Sequence, residues 1–209
     1  MRMNPRDLRC EAVVFDLGKV LIGWDPYLPF CDDMSRAEWK EAAYSADFSA
    51  LNIMADKGVP LDGVISQAYE RGTRYGEFIK HYYAHFDRSL TGPVPGTAEV
   101  VDDLEATGVR LLGLTNWSAE TIHHARRQAP CIRKLEGLVV SGQEGVAKPD
   151  PVIFRRLIQR YGIDPATSVF IDDSVHNVET ANELGFTAIQ FVGAENLREV
   201  LGHHGILSA

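Results

Sequence analysis

The sequence predicts a doubly wound α/β fold, a parallel sheet with helices on both faces and a smaller helical domain inserted after the first strand. Three observations predict it. Five short apolar runs recur along the chain. Helical patterns closed by glycine separate several of them. More than ninety residues between the first run and the second break the alternation.

The runs are Ala12–Phe15, Arg110–Leu114, Gly137–Val140, Ser168–Ile171 and Thr187–Val192, most of them rich in Val, Ile, Leu or Phe. Such brief runs suit strands covered on both faces. Between them, Val100, Val101 and Leu104 share one helical face, with Gly108 as the stop. Ile153, Leu157 and Ile158 share a second, closing at Gly162. Val178, Ala181 and Leu184 share a third, with Gly185 just past the end.

The long break, Asp25 to Leu90, contains no convincing strand and several helical patterns. Ala37, Trp39 and Ala42–Ala43 fall in one; Leu61, Val64, Ile65 and Ala68 form another, started by Asp62 or by the turn before it. Phe78, Ile79, Tyr82, Tyr83 and Phe86 follow helical spacing most closely. Gly58-Val59-Pro60 and Arg71-Gly72-Thr73 read as breaks. Thr91-Gly92-Pro93-Val94-Pro95-Gly96 reads as a hinge. The expected organisation is a core of residues 1–24 and 91–209 and a helical cap of residues 25–90. Aromatic residues at helical spacing in that cap are expected as its own core.

Composition narrows the function classes. The chain has 209 residues, 45% hydrophobic and 24% charged, with net charge -8. Lys and Arg form no basic stripe, which argues against a nucleic-acid partner. The acidic balance argues against anionic membranes, and no apolar run approaches the ~20 residues of a membrane span. Cys10, Cys31 and Cys131 lie far apart without a CxxC, so thiols in a reducing cytoplasm are expected. Met1 to Arg9 is polar, with no apolar segment of a secretory signal. The oligomeric state is not written in the sequence.

Ligands of open α/β sheets bind beyond the carboxyl ends of the strands. After the first strand comes Asp16-Leu17-Gly18-Lys19; after the second, Thr115-Asn116; after the third, a loop to Lys148-Pro149; after the fourth, Asp172-Asp173-Ser174. Three carboxylates in a small volume repel one another. A divalent cation relieves this, and hard oxygen ligands suit Mg²⁺ best. Lys148, Thr115 and backbone N–H groups after Asp16 can hold an anion. Each residue alone reads as turn chemistry or a helix cap; Asp173 or Ser174, for instance, would cap the Val178 helix. Four such groups in order, each at a strand end, read as a site for a small anionic substrate.

Phe15-Asp16-Leu17-Gly18-Lys19-Val20-Leu21, Leu114-Thr115-Asn116, Lys148-Pro149 and Phe170-Ile171-Asp172-Asp173 resemble the four motifs of the haloacid dehalogenase superfamily. The resemblance runs from Ala12 to about Val192, and the insertion sits where one cap class carries a helical lid. It implies an Mg²⁺-dependent phosphatase, with Asp16 as the nucleophile that forms an aspartyl-phosphate. It implies Asp16, the Gly18 carbonyl and Asp173 as metal ligands, and Asp172 acting on metal-bound water. Thr115, Asn116 and Gly18 would contact phosphate, and Lys148 would bridge it to Asp16.

Gly18 departs from the pattern. Phosphatases of the superfamily usually carry there a second Asp that serves as acid and base, and a positioned group of this kind is worth about 10²–10⁴ in rate. Three readings follow. The substrate has a good leaving group, another residue such as Asp25 or one from the lid supplies the proton, or the protein is a poor phosphatase. Related sequences with Gly here look like sugar-phosphate phosphatases. Lys19 reads as a solvent-facing turn residue, with a phosphate contact as the alternative.

Two rivals remain. A 2-haloacid dehalogenase uses the same aspartate without a metal, and the Asp172-Asp173 pair argues against it. A non-catalytic binding protein is argued against by competent side chains at every motif position but Gly18. His123-His124 and His203-His204 lack a third metal ligand nearby. Trp24 and Trp117 flank the site in sequence, where they shape the pocket or pack in the core.

Overall fold

We describe a computed structural model, covering residues 10–207. The polar segment Met1–Arg9 lies outside the described residues. The chain runs β1 (Ala12–Phe15), β2 (Ile22–Trp24), α1 (Arg36–Ala46), α2 (Phe48–Asp56), α3 (Leu61–Arg71), α4 (Thr73–Ala84), β3 (Leu90–Pro93), α5 (Thr97–Ala106), β4 (Arg110–Thr115), α6 (Ala125–Gln128), β5 (Gly137–Val140), α7 (Ser141–Glu144), α8 (Pro151–Tyr161), β6 (Ser168–Asp172), α9 (Val175–Glu183), β7 (Thr187–Gln190) and α10 (Ala194–His203).

Five strands form one sheet in the order β5-β4-β1-β6-β7, all neighbours parallel. This is the doubly wound α/β fold that the apolar runs predict. Side chains alternate along β1. Ala12 and Val14 pack with Ile153, Phe154 and Leu157 of α8 and Ala181 of α9. Val13 and Phe15 pack on the other face with Val100, Val101 and Leu104 of α5 and Leu197 and Leu201 of α10. Both faces of a strand buried in this way leave no polar position within it, so β1 reads as an unbroken apolar run.

Two strands extend further than their apolar runs. Thr115 closes β4 opposite Val140, and Asp172 closes β6 opposite Gln190. Ladder pairing continues by one residue where hydrophobicity stops, so polar groups stand at the sheet's carboxyl edge with their backbones fixed. At the opposite limit, β7 stops at Gln190 and leaves Val192 exposed.

The segment between β2 and β3 carries four helices. Ser35 caps α1 in a capping box with Glu38. Pro60 holds the cap position of α3 and Asp62 lies in its first turn, so the turn before Asp62 starts that helix. Phe78, Ile79 and Tyr82 of α4 are buried with Phe30, Phe48, Leu51 and Val64, which makes the aromatic stripe largely core. Phe86 lies past the end of α4, in a short 3-10 turn over Phe86–Ser89.

The expected hinge is partly strand. Leu90–Pro93 pairs antiparallel with Ile22–Trp24, in the register Ile22 with Pro93 and Trp24 with Leu90. The two stems of the insertion are thus joined by a ribbon. A side chain on Gly23 would meet Thr91 Oγ1 at 2.0 Å, so the Thr91 hydroxyl occupies the space above Gly23. This pairing was hidden because Pro and Gly at Gly92-Pro93 read locally as a break.

Candidate active site

The carboxyl ends of β1, β4 and β6 bring four of the singled-out side chains together. Asp16 follows β1, Thr115 ends β4, Asp172 ends β6, and Lys148 arrives on the loop before α8. Lys148 Nζ lies 2.9 Å from Asp16 Oδ1, 2.6 Å from Asp172 Oδ2 and 2.8 Å from the Leu114 carbonyl, to which it donates. All four side chains are buried. Asp16 Oδ1 also accepts from the Leu17 N–H at 2.7 Å. Its second oxygen has no hydrogen-bond partner among the described residues.

Asp172 is more completely engaged. Oδ1 accepts from the Ser174 N–H and from Asn177 Nδ2, both at 2.9 Å, while Oδ2 takes Lys148. With both oxygens occupied, it is a fixed counter-charge that orients the ammonium. Ser174 holds the cap position of α9 without a side-chain cap bond among the described residues, and its backbone N–H goes to Asp172.

Asn116 makes a contact that the sequence does not announce. Its Nδ2 donates to the Lys148 carbonyl at 2.9 Å and its Oδ1 accepts from the Lys148 N–H at 2.8 Å. Both ends of the amide clamp the Lys148 backbone, so the side chain positions Lys148; it also lines the cleft and keeps a second Nδ2–H.

One ligand oxygen from each of Asp16, Asp172 and Asp173 falls within 4.8 Å of the others. These are hard donors of the kind Mg²⁺ takes. Burial raises the Asp16 carboxyl above its ordinary value, Lys148 pulls it back, and Asp172 raises it again. Asp173 is also pushed up, by its own burial and then by Asp172. Burial pulls the Lys148 ammonium down, but the two carboxylates outweigh it and hold it above its usual value, hence cationic. One buried ammonium does not balance three carboxylates, and a divalent cation fits the remaining charge. Thr115 Oγ1 adds a second sign of a ligand site: it is buried, with no hydrogen-bond partner among the described residues. A buried hydroxyl normally has one.

A cleft opens onto these groups, lined in part by Gly18, Lys19, Trp24, Asn116, Trp117 and Asp173.

The haloacid dehalogenase-like hydrolase model matches residues 10–185. The chain belongs to the haloacid dehalogenase-like hydrolases. Among curated proteins, it is 23% identical over 199 residues to the sesquiterpene phosphatase astK of Aspergillus oryzae, covering 92% of this chain and 97% of that one. Among solved structures, it resembles a HAD family enzyme of Bacteroides thetaiotaomicron in complex with magnesium and inorganic phosphate. That match has a TM-score of 0.73 and 21% identity over 91% of this chain and 98% of the other. It also resembles the L-2-haloacid dehalogenase of Xanthobacter autotrophicus with chloropropionic acid covalently bound, with a TM-score of 0.63 and 16% identity over 92% and 83%.

In this haloacid dehalogenase-like hydrolase, Gly18 leaves open space: a side chain built there would meet nothing within 4 Å. Lys19 is exposed, as a turn residue should be, yet it also lines the cleft, with Nζ 5.7 Å over the Trp24 ring. Trp24 and Trp117 both combine packing with pocket shaping. Trp24 Nε1 donates to Tyr82 Oη at 3.0 Å, and buried Trp117 packs edge-on against Phe86. Asp25 does not reach the cleft; Arg36 holds it by two bonds of 3.2 and 2.7 Å. The His123 and His124 rings lie against one another at a tilt and, among the described residues, join no cluster of potential metal ligands.

Four cleft residues were not singled out in the sequence: Asn52 and Asp56 on α2, and Ser118 and Thr121 after β4. Phe48, Leu51 and Ala55 are the buried face of α2 and carry a helical signal. Asn52 and Asp56, one turn apart, mark its other face. Among the described residues, no helix is long and apolar enough to cross a membrane.

Proposed function

We propose that this protein is an Mg²⁺-dependent phosphatase that hydrolyses a small phosphorylated metabolite through an aspartyl-phosphate on Asp16. The observation that carries this reading is the proximity of the Asp173 carboxylate to that of Asp16, beside a second, fully engaged carboxylate. A metal-free displacement at carbon has no use for an extra, partly exposed acid at that point. The magnesium and phosphate bound by the Bacteroides relative and the phosphatase name of the Aspergillus one favour the same chemistry.

In this reading the free oxygen of Asp16, the Gly18 carbonyl and Asp173 hold the cation. When bound, Mg²⁺ neutralises charge on the transferring phosphoryl group. Thr115 Oγ1 donates to a phosphoryl oxygen, which supplies its missing partner. Lys148 Nζ, fixed by Asp172, by the Leu114 carbonyl and by the Asn116 clamp on its backbone, holds a second oxygen against Asp16. Main-chain N–H groups after Asp16 and Thr115 complete the anion hole. Asp16 then attacks in line, and water releases phosphate from it. Residues 25–90 act as the cap over a core of residues 1–24 and 91–209, and the aromatic wall it shares with the core receives the leaving group.

The test is turnover of p-nitrophenyl phosphate with Mg²⁺ by the wild type and by Asp16→Asn, with a 2-chloropropionate assay in EDTA alongside. Mg²⁺-dependent turnover lost in Asp16→Asn is the expected result. Halide release in EDTA would replace this reading with the dehalogenase one, and equal rates for the two proteins would leave a binding protein.

A further inference from the structure

Resting on the phosphatase reading, one gap in the site is chemical: nothing at Gly18 can donate a proton to the leaving oxygen. The space a carboxylate would fill there is open cleft. Asp25 is not the substitute. It lies outside the cleft, and the Arg36 guanidinium beside it holds its carboxyl below the ordinary value, so it stays anionic. Among the described residues lining the cleft, only Asp173 and Asp56 are acids, and Asp173 faces the cation site.

We propose that Asp56, carried into the cleft by helix α2 of the insertion, is the general acid and base of this enzyme. Its hydrogen bonding suits a neutral acid. Asn52 Nδ2 donates to Asp56 Oδ2 at 3.1 Å, and Tyr83 Oη donates to Asn52 Oδ1 at 3.5 Å. In this arrangement the amide N–H faces Asp56, and Oδ2 accepts from it in either protonation state. Oδ1 has no partner among the described residues and is free to carry the proton. Burial, and next the charge of Asp16, push this carboxyl up to about 7, where an acid and its base are both accessible near neutral pH. Among the described residues, the charged and titratable groups around it are Asp16, Asp173 and Lys19 from the core and Tyr82 and Tyr83 from α4.

Core contacts position this end of α2. Gly58, two residues beyond Asp56, has φ +89, and a side chain on it would come 2.8 Å from the Gly142 carbonyl oxygen. The insertion therefore docks backbone to backbone at this point. Three residues further on, the Leu61 N–H donates to Glu120 Oε1 of the core at 2.7 Å. Asp56 thus approaches the phosphoryl site only while the insertion is seated, which couples acid catalysis to closure.

The steps balance. Asp16 bonds to phosphorus as the P–O bond to the leaving group breaks, and the leaving oxygen takes the Asp56 proton to depart as an alcohol. The Asp56 carboxylate then accepts a proton from water as that water bonds to phosphorus. The bond between phosphorus and Asp16 breaks, and Asp56 is again protonated.

The experiment compares wild type and Asp56→Asn, with Mg²⁺, on phenyl phosphate and p-nitrophenyl phosphate, which differ in leaving-group acidity and little in size. The amide keeps an oxygen for Asn52 but has no acid proton. With phenyl phosphate the loss in kcat/KM is expected to be about 10²–10⁴, and with p-nitrophenyl phosphate clearly smaller, because that leaving group needs no proton. Rapid mixing of Asp56→Asn with p-nitrophenyl phosphate should give a burst of p-nitrophenol ahead of a slow steady state, since the second step has lost its base. Adding Gly18→Asp should restore phenyl phosphate turnover, because Gly18 has room and an ordinary backbone conformation. Equal losses on both substrates without a burst, or no loss on either, would overturn the role of Asp56 while the phosphatase reading stands. Absence of Mg²⁺-dependent turnover in the wild type would overturn both.

Discussion

Asp16 Oδ1 and Lys148 Nζ stand 2.9 Å apart, and both side chains are almost wholly withdrawn from water. Asp172 Oδ2 completes the group, 2.6 Å from the same ammonium. Removing Lys148 would leave two desolvated carboxylates facing each other. Breaking a buried pair from one side costs about 3–5 kcal/mol. Lys148→Met is therefore expected to lose that order of stability in urea titrations done in EDTA. Mg²⁺ should recover part of it by supplying the missing positive charge, while turnover stays at least about 10²-fold down. A variant as stable as wild type in EDTA would mean that the carboxylates are not charged together.

Thr115 separates stability from function. Its hydroxyl is buried without a partner among the described residues, and an unmet buried polar group costs about 1–3 kcal/mol. Thr115→Val keeps the branched shape in β4 and removes that cost. The variant should melt at or above the wild-type temperature in the absence of phosphate. Turnover should nonetheless fall by about 10²–10³, as for loss of one donor to a developing charge. A lower melting temperature would assign the hydroxyl a structural partner and remove it from the anion hole.

The sequence made this half of the site legible because strand ends are where apolar runs stop. Asp16, Thr115 and Asp172 each follow such a run directly, and parallel strands bring their ends to one edge. Lys148 was legible from motif order, although its loop gives no periodic signal. The clamp that Asn116 makes on the backbone of Lys148, 32 residues away, was not legible, because such a contact leaves no local trace. The ribbon of β2 and β3 was hidden for the same reason: Gly92 and Pro93 oppose strand formation locally, and only pairing with Ile22–Trp24 overrides them. Asp56 lies on a helix whose apolar face is readable, but which core groups its polar face meets depends on how the insertion docks.

Asp173 is expected to account for cation binding without any assay of turnover. Mg²⁺ at about 100 times its dissociation constant stabilises a protein by about 2.7 kcal/mol if it binds only the folded form. The melting temperature of the wild type should rise with Mg²⁺, and that of Asp173→Asn should rise far less. In EDTA the variant should be no less stable than wild type, because it removes a carboxylate that burial and Asp172 already disfavour. An Mg²⁺ shift equal in the two proteins would place the cation elsewhere.

Asp56 makes stability depend on pH in a direction its environment fixes. Burial and the charge of Asp16 raise its carboxyl from 3.8 to about 7 in the folded protein. Between those two values the folded chain keeps a proton that the unfolded chain has released. The folded state binds more protons there, so this group's contribution to stability falls as pH rises across the window and levels off above it. Asparagine has no such dependence. Melting curves in EDTA should show Asp56→Asn gaining on wild type as pH is raised from about 5 to about 8, and the two running parallel above that. Asp16 titrates in both proteins, so its direct contribution largely cancels in the difference. A difference that does not change with pH would show Asp56 ionising like an exposed acid, with no proton to give near neutrality.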